Sequence, residues 1–216
     1  MSTSRVEAFS DGVIAILITI MVLNFKVPAS PTVAALRKVL PAFFTYALSF
    51  TIVGIYWNNH HHMLHLTTRI NGGILWANLN LLFWLSLFSF CTAWVGKYGF
   101  ATVPTAVYGC VLLLAAFAYY ILQQCIVADQ GPNSPLAAAL GKDFKGKASP
   151  VIYALSVLLT FANRWIGVAG YVTVALMWLV PDRRLEARFA RQAVMQAIAA
   201  EEQADAQSET NRGSPR

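Results

Sequence analysis

Arg5-Val6-Glu7-Ala8-Phe9-Ser10-Asp11-Gly12-Val13-Ile14-Ala15-Ile16-Leu17-Ile18-Thr19-Ile20-Met21-Val22-Leu23-Asn24-Phe25 is an apolar run broken near its start by a carboxylate. A helix of about 20 apolar residues crosses a bilayer. Ser4, with Glu7 three positions later, has the capping-box pattern that starts such a helix, and Lys26, Pro28 and Pro31 end it. Asp11 is the only acidic residue well inside an apolar segment. At the centre of a membrane helix a carboxylate costs about 2.5 to 3.5 kcal/mol, less near its end, so Asp11 calls for a partner or water. At about 100° per residue, Ile16, Ile20 and Leu23 fall within about 60° of one another, with Thr19 beside them. Asp11 points about 140° away and Ser10 lies on the other flank. These polar groups therefore face neighbouring helices of the same subunit. The stripe by itself reads as ordinary helix packing or lipid contact.

The rest of the chain repeats the theme. Of 216 residues 57% are hydrophobic and 12% charged, with a mean hydropathy of +0.54. Soluble domains carry about twice that charged share. The reading is an all-α polytopic membrane protein with six transmembrane helices, over residues 6–25, 41–62, 74–95, 100–127, 151–162 and 165–180. The last two are short for spans and are joined by a tight turn at Asn163 and Arg164. Residues 128–150, rich in Gly, Pro and Lys, read as the longest loop. The transmembrane domain covers 1–181, a charged helix follows over 182–206 and a polar tail over 207–216. Six spans put both termini on one side; with them inside, the basic residues divide eleven inside to five outside, which favours a multi-pass protein of the cell membrane with cytoplasmic termini. The net charge of +6 thus faces anionic lipid surfaces, and no nucleic-acid partner is implied.

Order and spacing of motifs point further. Arg5-x-x-x-Phe9-Ser10-Asp11 opens the first span, Trp57-Asn58-Asn59-His60-His61 lies in the second, Leu75-Trp76-Ala77-Asn78-Leu79 in the third, and Val180-Pro181-Asp182-Arg183-Arg184-Leu185-Glu186 ends the sixth. These resemble the R-x-x-x-F-S-D, W-x-x-H-H and L-W-x-N-L signatures of the transmembrane protein 175 family, potassium-conducting channels of bacteria, archaea and animal lysosomes. The first signature is specific; the others gain weight from their order. The resemblance implies six helices per repeat, no T-V-G-Y-G filter and a pore lined by first helices around a four-fold axis. With one repeat, this chain is similar to bacterial members and would form a homotetramer. Carried over, the constriction is Ile16, Ile20 and Leu23, with Thr19 nearby, and the polar network packing the helices is Arg5, Phe9, Ser10, Asp11, Trp57, His60 and Asn78. Two departures stand out. Ser86-Leu87-Phe88-Ser89-Phe90 lacks the proline of the family's S-L-x-P-F, which removes the reason for a kink, and His62 replaces a frequent basic residue.

The implied function is a leak-type, potassium-permeable cation channel with modest preference over sodium. An apolar ring offers an ion no replacement ligands and gates by dewetting. Potassium, more weakly hydrated, loses less than sodium in passing. Asp11 is a structural partner of Arg5 or His60, or a transported-ion site; the latter belongs to the alternative of an ion-coupled or proton-linked secondary transporter. A scaffold without transport is a third class. Of four neighbouring histidines only His61 and His65 share a face, with no cysteine or carboxylate close in sequence, so no metal site and no cofactor is assigned, and titration near neutral pH is the more natural role. Cys91, Cys110 and Cys125 read as buried thiols, and Trp76, Trp84, Trp94, Trp165 and Trp178 as interfacial anchors. No Walker, G-x-S-x-G or paired-carboxylate pattern suggests an enzyme.

Overall fold

The computed structural model describes residues 2–140 and 144–179, and every regular element among them is helical. The charged helix expected over 182–206 and the tail over 207–216 lie outside the described residues. Four helices are long and apolar enough to cross a membrane: α1 (Thr3–Leu23), α3 (Leu40–His65), α4 (Gly72–Lys97) and α5 (Thr102–Gln130). Between α1 and α3 sits a single turn and a half, α2 (Val33–Arg37), started by Thr32, whose side chain accepts from the Ala35 amide. After α5 come α6 (Pro135–Leu140), α7 (Phe144–Thr160) and α8 (Arg164–Leu179).

Sequence punctuation explains most boundaries. Asn71 caps α4 by accepting the Ile74 amide at 2.9 Å, satisfying a donor that the first turn leaves open. Pro41 and Pro104 occupy first turns, where a missing N–H costs nothing. α1 differs from expectation at its start. Ser2, not Ser4, is the cap residue, and the capping box does not form, because the Glu7 carboxylate reaches across to α3.

The stretch 128–150 is not the long loop its composition suggests. α5 continues to Gln130, α6 intervenes, and α7 begins at Phe144, running through Pro150. A proline inside a helix removes one backbone bond. Tertiary ties hold this turn regardless: the Trp178 indole donates to Ser149 Oγ at 2.9 Å, and Lys145 lies over the Trp178 ring. α7 and α8 are two helices joined by a turn at residues 161–163, and their described parts run about 26 and 24 Å at 1.5 Å per residue. α4 is unbroken through Ser89, where the family pattern would place proline.

α1 packs on α3 and α4, α4 on α3 and α5, and α5 on the α7–α8 hairpin, which also touches α3 through α8. Leu64, Ile74, Leu81, Leu85, Phe88, Leu112, Leu122 and Ile126 form the enclosed core. Hydroxyl contacts stitch the layers: Ser49 meets Thr92 at 2.6 Å and Tyr108 at 2.9 Å, joining α3, α4 and α5. Such small polar groups are a common means of fastening membrane helices. At the end where α3 finishes and α4 starts, Arg69 and Asn71 both donate to Asp129 of α5, at 2.7 and 2.8 Å. The cysteines are all free, but only Cys91 is buried; Cys110 is exposed on α5 and Cys125 is half-buried, which corrects the uniform reading.

Gly109 lets α5 approach the hairpin. A Cβ there would collide with the Tyr171 hydroxyl and Val157, and Tyr171 is enclosed, donating to the Thr105 carbonyl. Gly109→Ala is expected to destabilise the protein by about 1 to 3 kcal/mol, the usual cost of overpacking. The check is the temperature at which the purified variant loses its size-exclusion peak.

Candidate permeation face and its polar network

The two sides of α1 have different surroundings. Val6, Ser10, Ile14, Leu17 and Met21 recur at helical spacing and are all buried. Opposite them lie Ile16, Ile20 and Leu23, exposed by 57, 43 and 79%. Arg5, Phe9 and Thr19 share the exposed side, as do the small residues Ala8, Gly12 and Ala15. A Cβ at Gly12 would meet nothing within 4 Å, so no neighbour among the described residues requires a glycine there. Thr19 Oγ1 donates back to the Ala15 and Ile16 carbonyls at 3.1 and 2.9 Å. With its hydrogen committed to the main chain, the oxygen keeps only lone pairs for a neighbour.

The buried side is held by a hydrogen-bond chain whose direction follows from donor chemistry. Ser10 Oγ donates to the Val6 carbonyl at 2.8 Å, so it accepts from Asn78 Nδ2 at 3.0 Å. That turns the Asn78 carbonyl oxygen to His60 Nε2, 2.7 Å away. A carbonyl only accepts, which places a proton on Nε2. Ser10, His60 and Asn78 are all buried, at 0, 0 and 2% exposure. His60 Nδ1 has no hydrogen-bond partner among the described residues. Farther along, Ser89 Oγ donates to the Leu17 carbonyl at 3.4 Å and Thr92 Oγ1 contacts Met21 Sδ at 3.8 Å. α4 thus accompanies α1 in parallel, with contacts near residues 10, 17 and 21.

Nearer the surface, α1 and α3 meet in antiparallel register. Trp57 Nε1 donates to Asp11 Oδ1 at 2.9 Å, and one turn away His61 Nδ1 meets Glu7 Oε1 at 2.7 Å. Residues four apart on one helix oppose residues four apart on the other. The partner of Asp11 is therefore Trp57, rather than Arg5 or His60. His61 stacks between Trp57 and His65, with centroids 6.2 and 5.9 Å away. Arg5 and Phe9 stand outside this hydrogen-bonded set. Among the described residues no three His, Cys, Asp or Glu side chains are placed to hold a metal.

Glu7, His61 and Ser89 carry contacts that the sequence reading did not assign. The first two were discoverable: Glu7 and Asp11 repeat at i, i+4, as do Trp57 and His61, and an antiparallel pair of helices matches the two repeats. Because Trp57 is 45% exposed, its bond to Asp11 is worth about 1 kcal/mol. Asp11→Ala and Trp57→Phe should each lower the yield of folded protein by a similar, small amount, and the double variant should be no worse than either single one. Additive losses would show that the two side chains act separately. In either case ion preference should change less than yield.

Comparison with known proteins agrees with these helices. The profile of the family described as endosomal/lysosomal potassium channel TMEM175 matches residues 5–88, which hold the three motifs of the first three long helices. A potassium channel of Chryseobacterium sp. (strain P1-3) is 49% identical over 186 residues, covering 86% of this chain and 97% of the relative. The human endosomal/lysosomal proton channel TMEM175 is 38% identical over 96 residues, which are 38% of this chain and 19% of the human protein. The crystal structure of a lysosomal potassium-selective channel TMEM175 homolog from Chamaesiphon minutus superposes with a TM-score of 0.74 at 28% identity, covering 82% of this chain and 96% of that one. Near-50% identity along almost the whole of a relative, with the motif-bearing helices in the same order, makes this chain a member of the TMEM175 family, of its bacterial type.

Proposed function

We propose that the protein is a leak-type, potassium-permeable cation channel of the cell membrane, a homotetramer of six-span subunits with cytoplasmic termini. Relatives from Chryseobacterium, Streptomyces collinus and Chamaesiphon minutus are named potassium channels, which supports potassium as the permeant ion. The observation that carries the reading is the division of α1: one side is fastened to α3 and α4, while the side bearing Ile16, Thr19, Ile20 and Leu23 is left exposed by the described residues. Ala8, Gly12 and Ala15 on that side allow four such helices to approach closely. α7 and α8 complete six spans as a pair of crossings joined by the turn at residues 161–163. Ile16 forms the tightest ring, and Ile20 and Leu23 extend the apolar gate. Thr19 offers hydroxyl lone pairs between them.

Such a pore conducts when its apolar ring is wetted and closes when it dries. Selectivity stays modest because nothing in the ring replaces lost hydration. The test is Ile16→Cys in potassium-loaded vesicles treated with a charged methanethiosulfonate. Loss of most of the flux in the variant, with the parent and its three native cysteines unaffected, supports the pore position. Flux that survives full modification of the introduced thiol removes α1 from the permeation path.

A further inference from the structure

An open-mouthed cavity lies away from the exposed side of α1, lined by α3, α5, α7 and α8. Its interior admits the centre of a water-sized sphere over about 50 Å³, room for several waters or the head of a small amphiphile whose body extends through the open mouth. Its walls are mostly aliphatic and aromatic, with Ile52, Tyr56, Tyr119 and Val174 among them. Three polar lining side chains are more than nine-tenths buried, Tyr153 at 3% exposure, Ser149 at 4% and Gln123 at 5%; Ser149 is bonded to the Lys145 carbonyl and the Trp178 indole, which leaves Tyr153 and Gln123. Neither makes a side-chain hydrogen bond to another described residue. Their polar ends open onto the cavity, where an occupant can supply the bonds that the neighbouring side chains do not. The described lining contains no Asp, Glu, Lys or Arg, and Lys145 lies over the Trp178 ring instead of lining the space, which favours a neutral ligand over an ionic one.

We propose that this cavity binds an uncharged amphiphile, an alcohol, phenol or ester with an apolar body, whose head bonds to Gln123 and Tyr153. The position suits regulation. On one turn of α3, Tyr56 and Asn59 face the cavity, while Trp57 and His60 hold α1 through Asp11 and through Asn78 with Ser10. A ligand that shifts this turn changes the support of α1. That consequence rests on the channel reading; occupancy of the cavity does not.

The test is photolabelling of the full chain in phosphatidylcholine nanodiscs with a diazirine-bearing octanol, and mapping of adducts by mass spectrometry. Adducts on cavity-lining peptides, abolished by Ala175→Trp, are expected. Gln123→Leu, a milder change, should weaken competition by 4-butylphenol about fivefold, in line with loss of one hydrogen bond. Adducts only at outward positions such as Phe117 and Ile121, or lining adducts indifferent to both variants, would overturn the site. Monooctanoylglycerol competing better than 4-butylphenol would identify a glycerolipid as the source of the ligand, and the reverse a small solute. Octanoate competing as well as either would overturn the assignment to a neutral ligand. In vesicles, a flux changed by 4-butylphenol in the parent but not in Ala175→Trp supports coupling to α1, and a parent flux indifferent to it refutes the coupling. A parent with no flux at all counts against the channel, while the labelling still decides the site.

Discussion

Ile16→Asn is expected to raise cation conductance and bring the permeabilities of potassium and sodium towards equality. In the proposed tetramer four Ile16 side chains narrow the path, and an ion there faces hydrocarbon with no substitute for water. Four carboxamides in the same ring supply oxygens and hold water in place, so the ring no longer dries. If this lowers the barrier by about 1.4 kcal/mol, flux rises about tenfold. Sodium gains more than potassium, because its larger hydration cost was the source of the discrimination. Ile14→Asn is the control. Ile14 is two residues away but 1% exposed, so an amide there is buried against α3 and α4 without a partner and should prevent folding. Currents of Ile16→Asn identical to the parent's would take Ile16 out of the pore.

Asn78→Leu should be the most damaging change in the polar network. It removes the acceptor of His60 Nε2 and the donor to Ser10 at once. An unsatisfied buried group costs about 1 to 3 kcal/mol, whereas hydrogen bonds between membrane helices average nearer about 0.6 kcal/mol because the separated helices find other partners. The upper range applies here. His60 is fully buried and its Nδ1 has no partner among the described residues, so the ring would be left with none among them. The measured effect is a large fall in the thermal midpoint of the size-exclusion peak, well beyond that of Trp57→Phe, whose bond lies near the surface. A variant as heat-stable as the parent would show that the chain of bonds contributes little. Protein that survives should keep its ion preference, since none of these groups lies on the exposed side of α1.

The long helices were legible because apolar length is a strong signal: 41–62, 74–95 and 100–127 correspond to Leu40–His65, Gly72–Lys97 and Thr102–Gln130. The direction of Ser10 was legible too, since 100° per residue separates it from Ile16. What sequence alone did not disclose was competition between partners. Ser4 and Glu7 form a valid capping pattern, but His61 on another helix takes the Glu7 carboxylate. Asp11 lies within reach of cations in the sequence, but the indole N–H of Trp57 on α3 is the group that meets it. Residues 144–150 resembled a loop because Lys, Gly and Pro punctuate them. Contacts of Ser149 and Lys145 with Trp178, almost thirty residues away, keep them helical. Each of these is a tertiary choice among locally reasonable options.

Selective cation permeation is tested most directly by the reversal potential of the purified, reconstituted protein between potassium and sodium solutions. A current that reverses on the potassium side of zero, short of the potassium equilibrium potential, is the predicted result. Reversal at zero with equal passage of both ions, or transport that occurs only in fixed ratio with a second ion, would contradict it.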